Sequence, residues 1–287
     1  MDIGVGLPTT VPGVTGETVL AWARQADAGP FVSLGLIDRI VYPGYSPLIA
    51  LAGAAGVTRR VRLVTTVLLA PLYDTAILAK DAASLDALSG GRLTLGLGVG
   101  AREDDFLAAG VPFTERGRIF DEQLATMKRV WGGEPYSPDV GPIGPRPVQP
   151  GGPPILIGGY SEAAMRRVGK WADGFISGGV PAQMAAPLYQ LAIQSWQAAG
   201  RTGRPRFVGT TYYALGPHAG DLVSTYIGRY YAFMGDAVQG MIAGIPATPD
   251  AIRATVRAFA DAGADELICW PCSDDIEQQR LLAGTVA

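Results

Sequence analysis

Two glycine-rich loops follow short apolar segments in the second half of the chain. They read Gly158-Gly159-Tyr160-Ser161 and Ser177-Gly178-Gly179. A helix is predicted after the first loop with Ser161 as its N-cap, and free backbone N–H groups at a helix start attract anions. The second loop would bring further donors from the neighbouring strand, so the pair suits a phosphate. Ordinary strand-to-helix turn chemistry is the alternative explanation.

A third glycine pattern, Gly96-x-Gly98-x-Gly100, lies along the predicted strand Leu93 to Val99 and its end. Alternation puts these glycines on one face, where a strand gives up side-chain contacts, so a flat ring or another ligand is expected to approach. A glycine-lined barrel interior would produce the same pattern. A dinucleotide loop is disfavoured, because the spacing is not G-x-G-x-x-G and the acidic run 103–105 would repel a pyrophosphate.

A charged pair, Asp38-Arg39, ends the second predicted strand. Arginine stays protonated at any working pH, so it cannot act as an ordinary general acid or base. It can hold an anionic substrate or stabilise negative charge that develops on a ring. The alternatives are that Arg39 only pairs with Asp38 or that it points to solvent.

Other chemistry-bearing residues give weaker signals. Cys269 and Cys272 have the C-x-x-C spacing, but the chain has only these two cysteines and one histidine, His218, so no metal site is predicted. Aromatic residues near predicted strand ends either shape a pocket or simply pack, and Arg102 is a candidate partner for an anion. These aromatic residues are Tyr42, Tyr73, Tyr212 and Trp270.

The elements that must position these residues alternate between short apolar strands and longer amphipathic helices, which indicates an α/β fold with a parallel sheet. Eight such units closing into a (β/α)8 TIM barrel would bring the strand ends and their loops together on one face. The predicted strands are Ile3 to Leu7, Val32 to Ile37, Val61 to Thr66, Leu93 to Val99, Pro154 to Ile157, Gly174 to Ile176, Arg206 to Ala214 and Glu266 to Trp270.

Helices are predicted between these strands and after the last one. Their ranges are Glu17 to Ala28, Pro47 to Val57, Thr75 to Leu88, Phe120 to Trp131, Glu162 to Trp171, Ala182 to Ala199, Pro249 to Ala262 and Ile276 to Leu282. Two stretches interrupt the repeat, residues 132–153 and 217–246, and both are expected to form substrate-side walls at the carboxyl-terminal face.

Composition narrows the class of partner. The chain has 287 residues, 48% of them hydrophobic, and a net charge of −3, so a nucleic-acid or anionic-membrane surface is not expected. No apolar run approaches the ~20 residues that span a bilayer, and the amino terminus does not read as a signal peptide. A cytoplasmic protein acting on a small molecule is expected, and the sparse cysteines fit a reducing compartment.

A long ordered set of residues then resembles the bacterial luciferase-like flavin and deazaflavin oxidoreductases, and it covers most of residues 1–180. The resemblance implies one (β/α)8 barrel domain over residues 1–287. The matching residues are Pro71, Ala79-Lys80, Leu85-Asp86-x-Leu88-Ser89-Gly90-Gly91-Arg92, Gly96-x-Gly98-x-Gly100, Gly110-Val111-Pro112-Phe113, Arg116-Gly117, Asp121-Glu122 and Trp131.

The resemblance also implies site roles. Asp38 would lie near the cofactor ring, and Arg39 replaces the histidine that many members carry near the transferred hydrogen. Thr66-Val67 matches a bulge with a non-prolyl cis peptide that presses on the ring, a plain trans strand end being the alternative. Gly100-Ala101 matches the cofactor-binding segment, and the two loops at 158–161 and 177–179 match the phosphate site.

Within this family the sequence is most similar to the branch that uses coenzyme F420 for hydride transfer to or from a small organic substrate. One alternative is a monooxygenase that uses FMN, oxygen and a separate flavin reductase. Another is an inactive cofactor-binding barrel, supported only by Arg39. The resemblance further implies a homodimer.

Overall fold

Eight parallel strands form a closed barrel in the computed structural model, which describes residues 1–286. Each strand pairs with the next one along the chain, and the last pairs with the first through the register Asp2 with Glu266. The (β/α)8 barrel prediction is therefore confirmed. The strands are β1 Asp2–Gly6, β2 Ser33–Leu36, β3 Arg62–Leu69, β4 Leu93–Gly98, β5 Ile155–Gly158, β6 Gly174–Ile176, β7 Arg206–Tyr213 and β8 Glu266–Pro271.

Helices surround the strands, and several begin where the sequence supplies a side-chain cap. Asp74 accepts hydrogen bonds from the N–H groups of Ala76 and Ile77, and Gly90 ends the same helix in the left-handed conformation. The helices are α1 Gly16–Ala28, α2 Pro47–Val57, α3 Thr75–Ser89, α4 Glu103–Ala109, α5 Arg116–Trp131, α6 Glu162–Trp171, α7 Ala182–Ala198, α8 Ala219–Tyr230, α9 Ala237–Gly244, α10 Pro249–Asp261 and α11 Glu277–Val286.

Two apolar cores follow from the alternation along each strand. Leu93, Leu95 and Leu97 of β4 face outward and pack with the helices. Inward-facing residues such as Val208 and Ile268 form the second core, and residues of α8 such as Ile227 belong to it as well. The helix α8 therefore closes the carboxyl-terminal end of the barrel.

Buried ion pairs fill the opposite, amino-terminal end of the barrel. Glu266, only 1% exposed, forms an ion pair with Arg62 at 3.0 Å and another with Arg206, and it accepts a hydrogen bond from Ser33. A buried carboxylate needs such partners, because an unpaired charge in the interior is strongly unfavourable. All four residues lie at the starts of their strands, so this end is built for stability.

Three expectations need correction. The stretch 132–153 does not form a substrate-side wall, because it joins the end of α5 to the start of β5 and so lies at the amino-terminal face, where Gln149 Nε2 donates to the Leu93 carbonyl at 2.8 Å. The strand β3 continues beyond Thr66 to Leu69, and α5 begins at Arg116 instead of Phe120. The stretch 217–246 does lie at the carboxyl-terminal face and contains α8 and α9.

The short helix α4 was not predicted. Its first turn holds the acidic residues at 103–105, and Gly110 ends it in the left-handed conformation. Acidic residues stabilise the positive end of a helix, so this run is a helix start signal. None of the helices in residues 1–286 combines the length and hydrophobicity needed to cross a membrane.

Candidate active site

A β-bulge in β3 is the most irregular feature at the carboxyl ends of the strands. The register of β3 against β4 shifts between Thr65 and Leu68, and the peptide bond between Thr66 and Val67 is cis. The plain trans strand end that the sequence left open is therefore wrong. The bulge turns Val67 towards the neighbouring strands β4 and β5.

The Val67 side chain lies in a socket of glycines. A Cβ atom at Gly98 would lie 2.9 Å from Val67 Cγ2, and one at Gly158 would lie 2.8 Å from Val67 Cγ1. A Cβ atom at Gly96 would overlap the Thr65 carbonyl oxygen. The inward glycines of β4 thus make room for the bulge. The glycine face of β4 was expected to receive a ligand and no side chain, and this expectation is wrong, because Val67 lies against it. The alternative explanation, a glycine-lined barrel interior, holds for Gly96.

Two side chains hold the bulge from outside the socket. Trp270 Nε1 on β8 donates to Thr66 Oγ1 at 3.0 Å. Asp38 Oδ2 accepts from the Leu69 N–H at 2.9 Å and from the Tyr73 hydroxyl at 3.0 Å. Burial, with a contribution from nearby Asp105, raises the pKa of Asp38 to about 6. Asp38, 5% exposed, therefore fixes the end of the bulged strand.

The bulge borders a cavity of about 420 Å³, named the bulge cavity below. Its lining brings together residues from the ends of β3, β4 and β5 and from the loops after β5 and β6. Nine of the predicted site residues belong to it, namely Thr66, Val67, Gly100, Ala101, Gly158, Gly159, Tyr160, Ser161 and Gly178. Leu69, Gly98, Val99, Phe120, Ala164 and Arg167 complete the lining within residues 1–286.

The first glycine loop has the geometry of a helix start. Gly159 has φ +149°, a conformation that favours glycine, and Ser161 Oγ accepts from the Ala164 N–H at 3.3 Å, which confirms Ser161 as the N-cap of α6. A side chain at Gly178 would overlap the Tyr160 hydroxyl. The Tyr160 ring therefore spans the two loops and covers one side of the bulge cavity.

Arg167 is the cation of the bulge cavity lining, and the sequence reasoning missed it. Its Nε and Nη2 donate to the two carboxylate oxygens of Asp121, both at 2.8 Å, and Nη2 also donates to the Gly117 carbonyl at 3.0 Å. The sequence feature that could have identified Arg167 is its position on α6, the helix that starts at the predicted anion site.

The remaining predicted site residues lie outside the bulge cavity lining. The Ser177 hydroxyl accepts from the Thr210 N–H at 3.2 Å, so it faces β7. Gly179 faces Tyr212 and Trp270, and a Cβ atom there would lie 3.1 Å from the Tyr212 ring. Asp38 and Arg39 lie beyond the bulge on the side of β2.

Arg39 neither pairs with Asp38 nor points to solvent, so both simple alternatives for it are wrong. Its side chain is 11% exposed and lies between Tyr42 and Tyr230, with the guanidinium carbon 4.6 Å and 5.3 Å from the two ring centroids. Arg39 Nη1 donates to the Tyr230 carbonyl at 3.1 Å, and Arg102 donates to the same oxygen at 2.8 Å. The two arginines hold the end of α8 against the barrel.

A cluster of aromatic residues from β7, β8 and the end of α8 fills the barrel mouth. The hydroxyls of Tyr212 and Tyr231 lie 3.0 Å apart, and the Tyr226 hydroxyl lies 2.6 Å from Thr10 Oγ1. Burial raises the pKa of Tyr212 and of Tyr226, so both stay protonated at neutral pH. The rings belong to Tyr212, Tyr226, Tyr230, Tyr231 and Trp270.

The two cysteines are buried and free, and burial raises the pKa of Cys269 to about 12. A thiol with a raised pKa is a poor nucleophile. Throughout residues 1–286 there is no cluster of three or more His, Cys, Asp or Glu residues that could hold a metal ion.

Comparison with protein-family models identifies the family of this chain. The model described as luciferase-like monooxygenase matches residues 1–286 of this chain. Among curated proteins, an uncharacterised protein of Mycobacterium tuberculosis (strain ATCC 25618 / H37Rv) is 35% identical over 169 residues. That match covers 56% of this chain and 60% of the relative, so the chain spans less than two thirds of that relative's length.

Solved structures show the same fold with different cofactors. An F420-dependent secondary alcohol dehydrogenase, in complex with an F420-acetone adduct, superposes with a TM-score of 0.85 at 16% identity, covering 99% of this chain and 98% of that one. The oxygenating constituent of 3,6-diketocamphane monooxygenase from Pseudomonas putida, in complex with FMN, superposes with a TM-score of 0.76 at 19% identity, covering 100% and 99%. At these identities the likeness concerns the fold.

Proposed function

The chain belongs to the luciferase-like monooxygenase family, and from this premise we propose that it is an oxidoreductase that binds coenzyme F420 in the bulge cavity. The proposed reaction is hydride transfer between the deazaflavin and a small organic substrate. The observation that carries the proposal is the convergence, in one cavity of about 420 Å³, of the bulge, the segment Gly98 to Ala101 and the first glycine loop.

The bulge cavity fits a flat ring. Gly98, Gly158 and Gly178 contribute no side chain, and Val67 and Leu69 supply apolar contact. Ligand pockets of this kind combine apolar walls with a few polar groups that fix orientation. Trp270 and Asp38 hold the two ends of the bulge, so the surface offered to the ring is fixed in advance.

The opposite end of the bulge cavity fits a phosphate. The start of α6 combines Gly159, the cap Ser161 and the positive end of the helix dipole. Arg167 adds a guanidinium to the same lining. Asp121 neutralises part of this charge, so the helix start is the main anion site and Arg167 supports it.

A cation beyond the phosphate end favours F420 over FMN. F420 carries an anionic chain beyond its phosphate, whereas FMN ends at the phosphate. The backbone of Gly117 contacts Arg167, which places Arg116 and Arg118 at the start of α5 beside this end of the cavity. Arg118 already pairs with Glu115 and Glu122, so it adds little free charge. Arg116 Nη1 donates to the Phe113 carbonyl at 2.6 Å, but its Nε is buried without a hydrogen-bond partner in the described chain, so Arg116 is the cation that can meet the anionic chain.

When bound, F420 supplies hydride chemistry, and the chain's own residues position the reactants and exclude water. Asp38 and Trp270 fix the bulge, and the aromatic cluster closes the barrel mouth. Arg39 cannot donate a proton as histidine does, and it acts instead as a positioning residue that holds α8. A homodimer is part of the proposal.

An FMN-dependent monooxygenase that receives reduced flavin from a separate reductase is the second candidate. The ring surface and the phosphate end of the bulge cavity would serve FMN as well, and the matching family model is described as luciferase-like monooxygenase. An inactive barrel is disfavoured, because the bulge, its socket and the capped loop are all intact.

Titration of the purified protein with three ligands tests the proposal, with binding followed by tryptophan fluorescence. The ligands are F420, FMN and the tailless deazaflavin F0, which lacks the phosphate. We expect F420 to bind at least about tenfold more tightly than either FMN or F0, because charge-assisted hydrogen bonds to the phosphate and tail add affinity. Preference for FMN would establish the second candidate, and binding of none would overturn both.

A matched pair of variants locates the phosphate end. Arg167→Gln should weaken F420 binding by about tenfold and leave F0 binding unchanged. Arg166→Gln is the control, since Arg166 lies on the same helix but is 69% exposed and pairs with Glu162. Thermal unfolding of both variants checks that loss of the Asp121 contact has not unfolded the domain. Equal effects of the two variants would contradict the assignment.

A further inference from the structure

A second cavity of about 600 Å³, named the outer cavity below, lies on the outer side of β7. Its floor is Thr211, whose neighbours Thr210 and Tyr212 face the barrel interior. Its walls are the start of α7 and one face of α10, and α9 covers it. The lining residues are Gly179, Val180, Pro181, Ala182, Gln183, Met184, Thr211, Met234, Ala237, Gly240, Met241, Gly244, Ile245, Ala254, Thr255, Ala258 and Phe259.

The lining carries no ionisable side chain within residues 1–286. Of its polar groups, the Thr255 hydroxyl donates to the Ala251 carbonyl at 2.9 Å and the Thr211 hydroxyl donates to the Tyr212 carbonyl at 3.1 Å. Both hydroxyl protons are therefore used inside the protein. The Gln183 amide is the other polar side chain of the lining, and it carries no charge. A charged ligand would lose its hydration here without gaining an ion pair, whereas an apolar one gains contact with the walls.

The outer cavity is adaptable on the side of α9. Gly240 and Gly244 face open space, since a Cβ atom at either would meet nothing within 4 Å. Met184, Met234 and Met241 line the cavity, and methionine side chains adjust readily to ligands of different shape.

The outer cavity lies directly beside the bulge cavity. Gly178 lines the bulge cavity and the next residue, Gly179, lines the outer cavity. A Cβ atom at Gly179 would lie 3.4 Å from Trp270 Cζ3, and Trp270 donates to the bulge residue Thr66. A molecule held in the outer cavity therefore ends close to the proposed ring site.

We propose that the outer cavity binds the uncharged, apolar body of the substrate, a hydrocarbon chain or ring, and so selects against charged substrates. The inference rests on the proposed function, because it assigns the substrate class of that site. It is carried by the lining chemistry, the volume and the shared loop at Gly178 and Gly179.

Binding of 2-alkanones from 2-hexanone to 2-nonanone to the full-length protein tests this inference by calorimetry. Affinity should rise about fourfold for each added methylene, as expected for burial in an apolar cavity. Octanoate, which has the same heptyl chain as 2-nonanone but a carboxylate, should bind at least about tenfold more weakly. Equal affinity for the two, or no dependence on chain length, would overturn the proposal.

Variants locate the binding. Gly240→Phe fills the outer cavity and should weaken 2-nonanone binding at least about tenfold. Gly220→Phe is the matched control, because Gly220 also lies in a helix with nothing within 4 Å of its Cβ position but does not line the cavity. Met241→Glu puts a charge on the half-buried wall and should weaken 2-nonanone binding to the same extent. It serves as the second test if Gly240→Phe fails to fold. Unchanged affinity in both variants would overturn the proposal.

The two proposals fail separately. Gly240→Phe should bind F420 within about twofold of the wild-type affinity, since its site lies outside the bulge cavity. If 2-nonanone binds as expected and F420 does not, the proposed cofactor is wrong and the outer cavity assignment stands. If the wild type binds no ketone and Gly240→Phe changes its sedimentation from dimer to monomer, a second copy fills the cavity and the inference is wrong.

Discussion

The bulge cavity and the outer cavity meet at the loop between β6 and α7, yet they are built from different parts of the chain. Backbone and glycines dominate the bulge cavity, and its shape follows from the paired strands β3, β4 and β5. Side chains of α7, α9 and α10 shape the outer cavity. A backbone wall is held by the hydrogen-bonded barrel, whereas side chains on an inserted helix can change without disturbing the strands.

This difference matches the two ligands that we propose, a cofactor and a substrate. A cofactor is the same molecule in every turnover, so a fixed surface suits it. A substrate site needs to differ between relatives that share a fold, and the stretch 217–246 lies outside the barrel strands, so it can change without disturbing them. Gly178 and Gly179 form the boundary between the two sites, with Tyr160 packed against the first and Tyr212 against the second.

Substitution of a glycine in the socket around the bulge should have the largest effect on stability. Gly96→Ala would push a methyl group into the Thr65 carbonyl, which is backbone and cannot move aside cheaply. We expect the free energy of unfolding to fall by about 3 kcal/mol, measured by urea denaturation. Gly56→Ala is the control, because its Cβ would meet nothing within 4 Å on α2. Similar stability of the two variants would contradict the socket.

Gly98→Ala tests the same socket with a smaller expected effect, because its new Cβ would contact the Val67 side chain and no backbone atom as closely. Its new methyl group would press on Val67, so we expect a loss of about 1–2 kcal/mol together with weaker F420 binding. Adding Val67→Ala should restore part of the stability. A double-mutant cycle measures the coupling, and additive effects would show that Val67 and Gly98 do not share the socket.

The Asp38 carboxyl group holds the end of the bulged strand, and its protonation changes with pH. Because burial raises its pKa from 3.8 to about 6, the folded protein binds the proton more tightly than the unfolded chain. Its contribution to stability is therefore full below pH 4 and is lost as pH rises through 6. Between pH 4 and 7 the wild type should lose about 2 kcal/mol more than Asp38→Asn in urea unfolding. Parallel pH profiles would contradict this.

Arg39 lines neither cavity and contacts the end of α8, so its effect should be smaller and local to that helix. Arg39→Lys loses the stacking on Tyr42 and Tyr230 and the planar donor to the Tyr230 carbonyl, a change of about 1 kcal/mol. Hydrogen exchange in residues 219–230 should become about fivefold faster, with F420 affinity unchanged. Arg229→Lys, an exposed position on α8, is the control. A comparable loss of F420 affinity would contradict a positioning role.

The sequence predicted the barrel and its capped loops because those features are local. Alternating apolar strands, the Gly90 cap and the Ser161 cap each depend on a few adjacent residues. The acidic start of α4 was also a local signal, but we interpreted it only as repulsion.

The features that escaped prediction depend on residues far apart in the chain. Gly96 and Gly98 fit Val67, which lies some thirty positions earlier and turns inward only because the bulge shifts the register of β3. Arg39 meets the Tyr230 carbonyl 191 residues away. The stretch 132–153 was assigned to the wrong face because its composition resembles a binding loop, whereas its position before a strand puts it at the other end of the barrel.

Hydrogen exchange with and without F420 tests the division between the two cavities most directly. We expect slower exchange in residues 64–69, 98–101 and 158–161 when F420 is added, and no change in residues 237–245 of the outer cavity. Protection confined to residues 237–245, or no protection in any of these segments, would contradict it.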